Sequence, residues 1–367
     1  MATITHVLLG GLAAAGIALA ALPGTAGADT LADFNAGAAR LFAEKTAMQD
    51  RLPDSAPIGH AEGRRIVVVP CLMAAEGCAR QTRGIQEAGQ ALGWEVTVID
   101  GQGDPSKMAN AVQQAINLQA DGLAIQVIDA AVILGPLKQA RAAGIRVVAS
   151  GSINAEDVIE ANYPSNDTIA DDGYALAAAA YSLAGNRLNL IEMRGDEFGA
   201  CVLRAEGTRR FIDECQAAGG DCAVMASENF LVTDLATRLP QQVVGQVRRN
   251  PGFDVLWSAY DAGLNFMIQG LKAADLTDEG FAVGFDANSA NLDIIRAGGY
   301  QKATIGMPME WLGWAQVDAL NRMFLGLAPN DGGLRSKVLT AANVPAAGGW
   351  EGDVDFRSAY RKSWGVE

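Results

Sequence analysis

From residue 64 onward, two apolar rhythms alternate along the chain. Short, β-branched apolar runs at 66–69, 95–99, 122–127 and 146–149 read as strands. Between them, 79–92, 107–118 and 130–142 carry apolar residues at helical spacing. This βαβαβαβ order predicts a parallel sheet with helices on both faces. The pattern then restarts. A short strand at 158–162 leads into helices at 169–184, 202–217, 234–249, 262–273 and 289–297. They are interleaved with strands at 188–193, 221–226, 255–257, 281–283 and 303–305, and a last long helix follows at 311–325. The expected fold class is α/β, with two doubly wound, Rossmann-like units in tandem.

Two segments precede this alternation. Residues 29–63 read as a leader: Leu31, Phe34, Ala38, Leu41 and Phe42 have helical spacing, and a proline-containing linker follows. Ahead of it, 7–22 is a continuous run, VLLGGLAAAGIALAAL, followed by Pro23, Gly24 and the small triplet Ala26-Gly27-Ala28. A bilayer span needs about 20 apolar residues, and this run falls short of that. An apolar stretch ending in an A-x-A site is the pattern of a cleavable secretory signal. Residues 1–28 are therefore expected to be a signal peptide, with the mature chain starting near Asp29 in the periplasm. No cysteine sits at the cleavage point, so a lipoprotein is not expected. The alternative is a short membrane anchor, since MATITH lacks Lys and Arg.

Composition narrows the function. Of 367 residues, 50% are hydrophobic and 19% charged, enough core for about two domains. The net charge of −14 repels phosphate backbones, so nucleic acid is not an expected partner. The two histidines, His6 and His60, both precede the first strand. Any mechanism with a histidine base or metal ligand has almost nothing to use. The stretch VIDGQGDPSKMANAVQQAI (98–116) has the look of a phosphate cradle, but Ser106 stands where a third glycine belongs, and the turn follows the second strand. Asp104 as a helix cap with Pro105 at the first helical position explains it better. There is no G-x-S-x-G and no P-loop motif. No catalytic residue, cofactor or metal is expected; a carboxylate pair doing acid–base work is the enzymatic alternative.

The five cysteines fall into two close pairs, Cys71/Cys78 and Cys215/Cys222, with Cys201 left over. Export makes short-range disulfides plausible, Cys215–Cys222 first. Buried free thiols are the alternative for each pair.

The chain also resembles the type 1 periplasmic sugar-binding proteins, the group of ribose-binding proteins. D-G-Q-G-D-P-S-K (100–107) with Gln113 and Gln114, G-I-R-V-V (144–148), S-N-D (165–167), R-A-E-G (204–207), V-G-F-D (283–286) and K-A-T-I (302–305) are similar to that family's motifs, in the family's order, over roughly 64–327. The resemblance implies two lobes joined by three crossings with a ligand between them. It assigns 64–165 plus 308–335 to the first lobe and 166–307 plus 336–367 to the second. It implies no enzyme but an exported, monomeric solute-binding protein that hands a sugar or modified sugar to the membrane permease of an ABC importer. A non-sugar solute, or service as a sensor subunit for a membrane receptor, are the alternatives.

Carried over residue by residue, the resemblance points to Arg204 as a donor to hydroxyls or a carboxylate and to Asp286 as an acceptor. Asp261 and Tyr260 follow the strand ending at Ser258. A surface salt bridge is the alternative for Arg204, and a helix cap for Asp261. The chain departs from the family at four places. Gly151-Ser152 stands for the family's Asp-Arg, Gly77-Cys78 for its aromatic pair, Met307 for a ligand amide and Tyr260 for an Asn. Gly151, Cys78 and Met307 thus become candidate contacts, with Phe230 and Phe198 on nearby loops. Trp311 and Trp314 share one helix face, where core packing competes with a ligand role. These departures predict a pocket less suited to a polyol than ribose recognition demands.

Overall fold

The computed structural model describes residues 1, 25–47, 51, 55–153 and 155–366. The export segment expected at 1–28 lies outside these residues, apart from Met1 and its last four positions.

Two parallel sheets form the framework. The first contains β1 (Arg65–Pro70), β2 (Glu95–Val98), β3 (Gly122–Gln126), β4 (Arg146–Ser150) and β5 (Ala161–Tyr163), in the order β2-β1-β3-β4-β5. All of its pairings are parallel. The second contains β6 (Arg187–Arg194), β7 (Asp221–Asn229), β8 (Val255–Ser258), β9 (Phe281–Asp286), β10 (Gln301–Gly306) and β11 (Lys337–Thr340), in the order β11-β10-β9-β8-β6-β7. Only β11 is antiparallel, at the edge. The central strands are buried on both faces, as Val67, Val68 and Val69 illustrate. That is why they are written as unbroken apolar runs rather than alternating ones.

Helices α2 (Glu76–Ala91), α3 (Pro105–Asn117), α4 (Leu134–Ala142) and α10 (Met309–Phe324) cover the first sheet. Helices α5 (Asn166–Leu183), α6 (Gly199–Ala217), α7 (Leu239–Arg249), α8 (Asp261–Ala273) and α9 (Ser289–Arg296) cover the second. Asp104 caps α3 by accepting from the backbone N–H of Ser106 and Lys107, and Pro105 opens the helix. The phosphate-like turn is therefore a capped helix start.

Glycines set the approach of two helix pairs that carry site residues. A Cβ on Gly84 of α2 would run into the Glu310 carbonyl of α10, and one on Gly313 into the Gln81 carbonyl. In the second lobe, a Cβ on Gly173 of α5 would strike the Arg204 carbonyl, and one on Gly207 the Ala170 carbonyl. Each pair is brought to backbone contact beside the cleft.

The chain passes from the first lobe to the second out of β5 into α5, back out of β10 into α10, and again from α10 to β11. The chain then crosses again. Trp350 packs with Ala287 and Leu292 of the second lobe, while α11 (Phe356–Trp364) returns to the first. There Trp311 stacks on Phe356 and Trp314 on Trp364, at 5.1 and 5.3 Å between ring centroids. Both tryptophans are core packing, not ligand contacts. Residues 336–367, expected together in the second lobe, are thus placed on both. The leader also engages both. Helix α1 (Thr25–Ala47) packs its Phe34 on Tyr181 and Phe211, and Ile58 N donates to Ser363 O of α11.

Cys215 and Cys222 form a disulfide that ties the end of α6 to β7. Cys71 and Cys78 are buried thiols in hydrogen-bond contact, with sulfurs 2.8 Å apart.

Candidate ligand cleft between the lobes

The carboxyl ends of both parallel sheets face each other, which is where open α/β sheets bind ligands. A cavity of about 100 Å³ lies between them. Cys71 follows β1, Val127 follows β3 and Gly151 follows β4 on one side. Tyr260 follows β8, Asp286 ends β9 and Met307 follows β10 on the other.

Four residues at three of these strand ends lie in the left-handed region: Val127 (φ 53°), Gly151 (φ 58°), and the consecutive Asp286 (φ 99°) and Ala287 (φ 54°). Three of them are not glycine, and such a conformation costs on the order of 1–3 kcal/mol for a residue with a Cβ. The surroundings hold it. Val127 N donates to Ser150 O at 2.7 Å. Arg80 of the first lobe, 2% exposed, reaches across and donates to the Asp286 and Ala287 carbonyls at 3.2 and 3.1 Å. The same guanidinium pairs with Glu351 and donates to Trp350 O, both at 2.6 Å. Glu76, also on α2, accepts from Ser289 N at 2.9 Å. These contacts fasten the first lobe to the β9–α9 turn.

Six of the eight residues expected at the site line the cavity: Arg204, Asp286, Tyr260, Met307, Cys78 and Gly151. Arg204 is not a surface residue. Its guanidinium pairs with Asp286 at 2.9 Å, donates to Ala259 O at 2.9 Å and lies 4.5 Å from the Phe285 ring centre. The paired side chains are only 12% and 15% exposed.

Asp261 and Phe230 do not line the cavity. Asp261 opens α8 but points inward, accepting from Gln301 Nε2 (2.9 Å), Thr304 Oγ1 (3.0 Å) and Asn288 N (3.3 Å). Burial, with Asp286 nearby, pushes its carboxyl up to about 8. It braces the strand ends from behind, because β9 and β10 leave those donors facing α8. Phe230 is buried behind Tyr260, with ring centres 5.3 Å apart. The loop after β7 turns it into the core rather than toward the cleft.

Several lining residues were not singled out from the sequence. Gln81 donates to Ser150 Oγ and to Gln316 Oε1, each at 2.6 Å, while Gln316 Nε2 is buried without a partner. Asp172 is held by Ser336 and by Lys45 of α1. Burial raises its carboxyl above the ordinary range, and Lys45 opposes the shift. Met309, Leu312 and Asn288 complete the wall. Cys201 lies there too; burial pushes its thiol up to about 12, so it is neutral rather than a nucleophile.

Solved structures share this fold at low identity. A sugar ABC transporter protein from Yersinia enterocolitica matches with a TM-score of 0.69 at 17% identity, covering 86% of this chain and 98% of that one. A Caulobacter myo-inositol binding protein, solved with myo-inositol, matches at 0.67 and 19%, covering 78% and 96%. A 5-methylthioribose transporter solute-binding protein from Thermotoga lettingae, in complex with 5-methylthioribose, matches at 0.66 and 16%, covering 80% and 89%. At these identities the likeness establishes the fold. Residues 66–327 match the family model described as a periplasmic binding protein domain. That match takes in both sheets but for β11, and with it the chain belongs to the periplasmic binding protein family.

Proposed function

We propose that this protein is an exported solute-binding protein. It captures a small sugar-like molecule in the interlobe cleft and delivers it to the permease of an ABC importer. The observation that carries this reading is the cavity itself, closed between two sheet edges and lined by Arg204, Asp286 and Tyr260 from one lobe and by Cys78 and Gly151 from the other. A site enclosed between two lobes releases its ligand when they part, which suits capture and hand-over. The family is one of solute binders rather than enzymes. Relatives solved with myo-inositol and with 5-methylthioribose support a sugar-like solute. Membership also supports the periplasm as its place of work.

Native mass spectrometry of freshly purified mature protein tests the reading. We expect a single small adduct that leaves on unfolding, or a solute that raises the melting temperature in a panel of sugars, deoxysugars and polyols. Absence of both would overturn it.

A further inference from the structure

The polar groups around the cavity are few, and most already have partners. Gln81 and Ser150 bond to each other and Asp172 is held from behind. Arg204 is the only cation lining the cavity among the described residues, and Asp286 neutralises it at 2.9 Å. An anionic solute would place a further negative charge beside Asp286 and Asp172 with one lining cation to offset them, which is unfavourable in a nearly buried site. The wall therefore favours a neutral solute.

Two lining polar atoms are different. Tyr260 Oη and Asn288 Oδ1 are buried with no hydrogen-bond partner, on residues 8% and 2% exposed. Buried polar atoms without partners are rare and costly in a folded protein. Tyr260 and Asn288 both line the cavity, together with Cys201 and with Cys71 from the opposite lobe. Burial keeps the Tyr260 hydroxyl protonated, and hence a donor. Together the pair offers one donor and one amide acceptor, a match for a short hydroxylated edge.

The opposite side is apolar. Cys71 follows β1, Cys78 lies on α2 and Met309 and Leu312 on α10, and Met307 adds a thioether beside them. Size sets a further limit. At about 10–15 Å³ of such space per water, a cavity of about 100 Å³ admits roughly seven to ten waters. A pentose-sized body fits that space.

We infer that the solute is a neutral, pentose-sized molecule, hydroxylated along one edge and apolar along the other, as a deoxypentose is, and that Tyr260 and Asn288 recognise its hydroxyl edge. This rests on the solute-binding reading above. A fully hydroxylated sugar would turn at least one hydroxyl into the Cys71–Met309 wall, where it has no partner. An unpaired hydroxyl of this kind weakens binding by about 10- to 100-fold.

The test is calorimetric titration of the mature protein, freed of any retained molecule by refolding, with 5-deoxyribose, ribose and myo-inositol. Native mass spectrometry of the unrefolded protein runs beside it. We expect 5-deoxyribose to bind at least tenfold more tightly than ribose, and myo-inositol not at all. Ribose or inositol binding as tightly as 5-deoxyribose would overturn the inference. So would a retained adduct that is ionic or hydroxylated on every carbon, and in those cases solute binding itself would stand. If nothing binds and nothing is retained, both readings fall together. The Tyr260→Phe variant separates recognition from folding. It removes a hydroxyl that has no partner in the protein, so the free protein should melt at the same temperature or higher. Affinity for 5-deoxyribose should nonetheless fall about tenfold. Unchanged affinity would remove Tyr260 from the recognition edge.

Discussion

The two walls of the cleft are built on opposite plans. The first-lobe wall is apolar, and its polar members, Gln81 and Ser150, are bonded to each other. The second-lobe wall carries the charges and the unpartnered groups: Arg204, Asp286, Tyr260 and Asn288. Arg204 comes from α6 and Asp286 from β9, so the ion pair is complete within one lobe. Its geometry does not depend on the lobes meeting. The charged wall is therefore preorganised within one lobe, and the apolar wall of the other covers it, where a low dielectric strengthens every electrostatic contact. Arg80 and Glu76 join the two plans, since both leave the first lobe to grip the β9–α9 turn of the second.

The strongest way to break this comparison is to remove one charge from the preorganised wall. Arg204→Ala or Asp286→Ala should each cost about 3–5 kcal/mol in urea unfolding and abolish solute binding, because the remaining charge is left nearly buried. The double variant should cost clearly less than the sum. A strictly additive result would show that the two groups do not act as a pair.

Reduction should act on the second lobe alone. The Cys215–Cys222 disulfide closes a short loop worth about 2–3 kcal/mol by chain entropy. The Cys215→Ser/Cys222→Ser variant should lose about that much, and denatured protein should titrate three thiols. A count of one would mean that Cys71 and Cys78 are bonded as well.

Asp261 sharpens the comparison through pH. Its carboxyl titrates near 8 in the folded chain and near 4 in an unfolded one. The folded state therefore holds the proton more tightly. Its contribution to stability is fully present below about pH 4 and is lost as pH rises toward 8, at most about 1.4 kcal/mol per pH unit. Asp261→Asn should flatten that slope in unfolding measured between pH 4 and 8. An unchanged slope would show that the three donors around Asp261 already keep it ionised.

The smallest effect belongs to the covering wall. Met309→Leu conserves the apolar character of the first-lobe wall and should change stability by less than about 1.5 kcal/mol. Affinity measured by calorimetry should move by less than tenfold. A larger loss would place a directed contact on the wall described here as a cover.

The alternation of apolar runs by itself determined the two tandem α/β units. Strands buried on both faces must be written as unbroken β-branched runs, and amphipathic helices must repeat at helical spacing. The sheet ends followed because open α/β sheets present their carboxyl ends to ligands, whereas Arg204, Asp286, Tyr260 and Met307 as wall residues came from the resemblance to the sugar-binding family. β11 and α11 escaped the sequence reading. The first is a four-residue antiparallel edge, and the second lies beyond a glycine-rich stretch and packs on residues far away in sequence. Direction within the site was also hidden. Sequence spacing places Asp261 and Phe230 at strand ends, but only the packed lobes decide that one braces Gln301 and Thr304 and the other backs Tyr260. The pairing of Arg204 with Asp286, 82 positions apart, and the two polar atoms left without partners exist only once α6, β8 and β9 are assembled. Hydrogen-bond satisfaction is a property of the whole three-dimensional neighbourhood, and no local pattern encodes it.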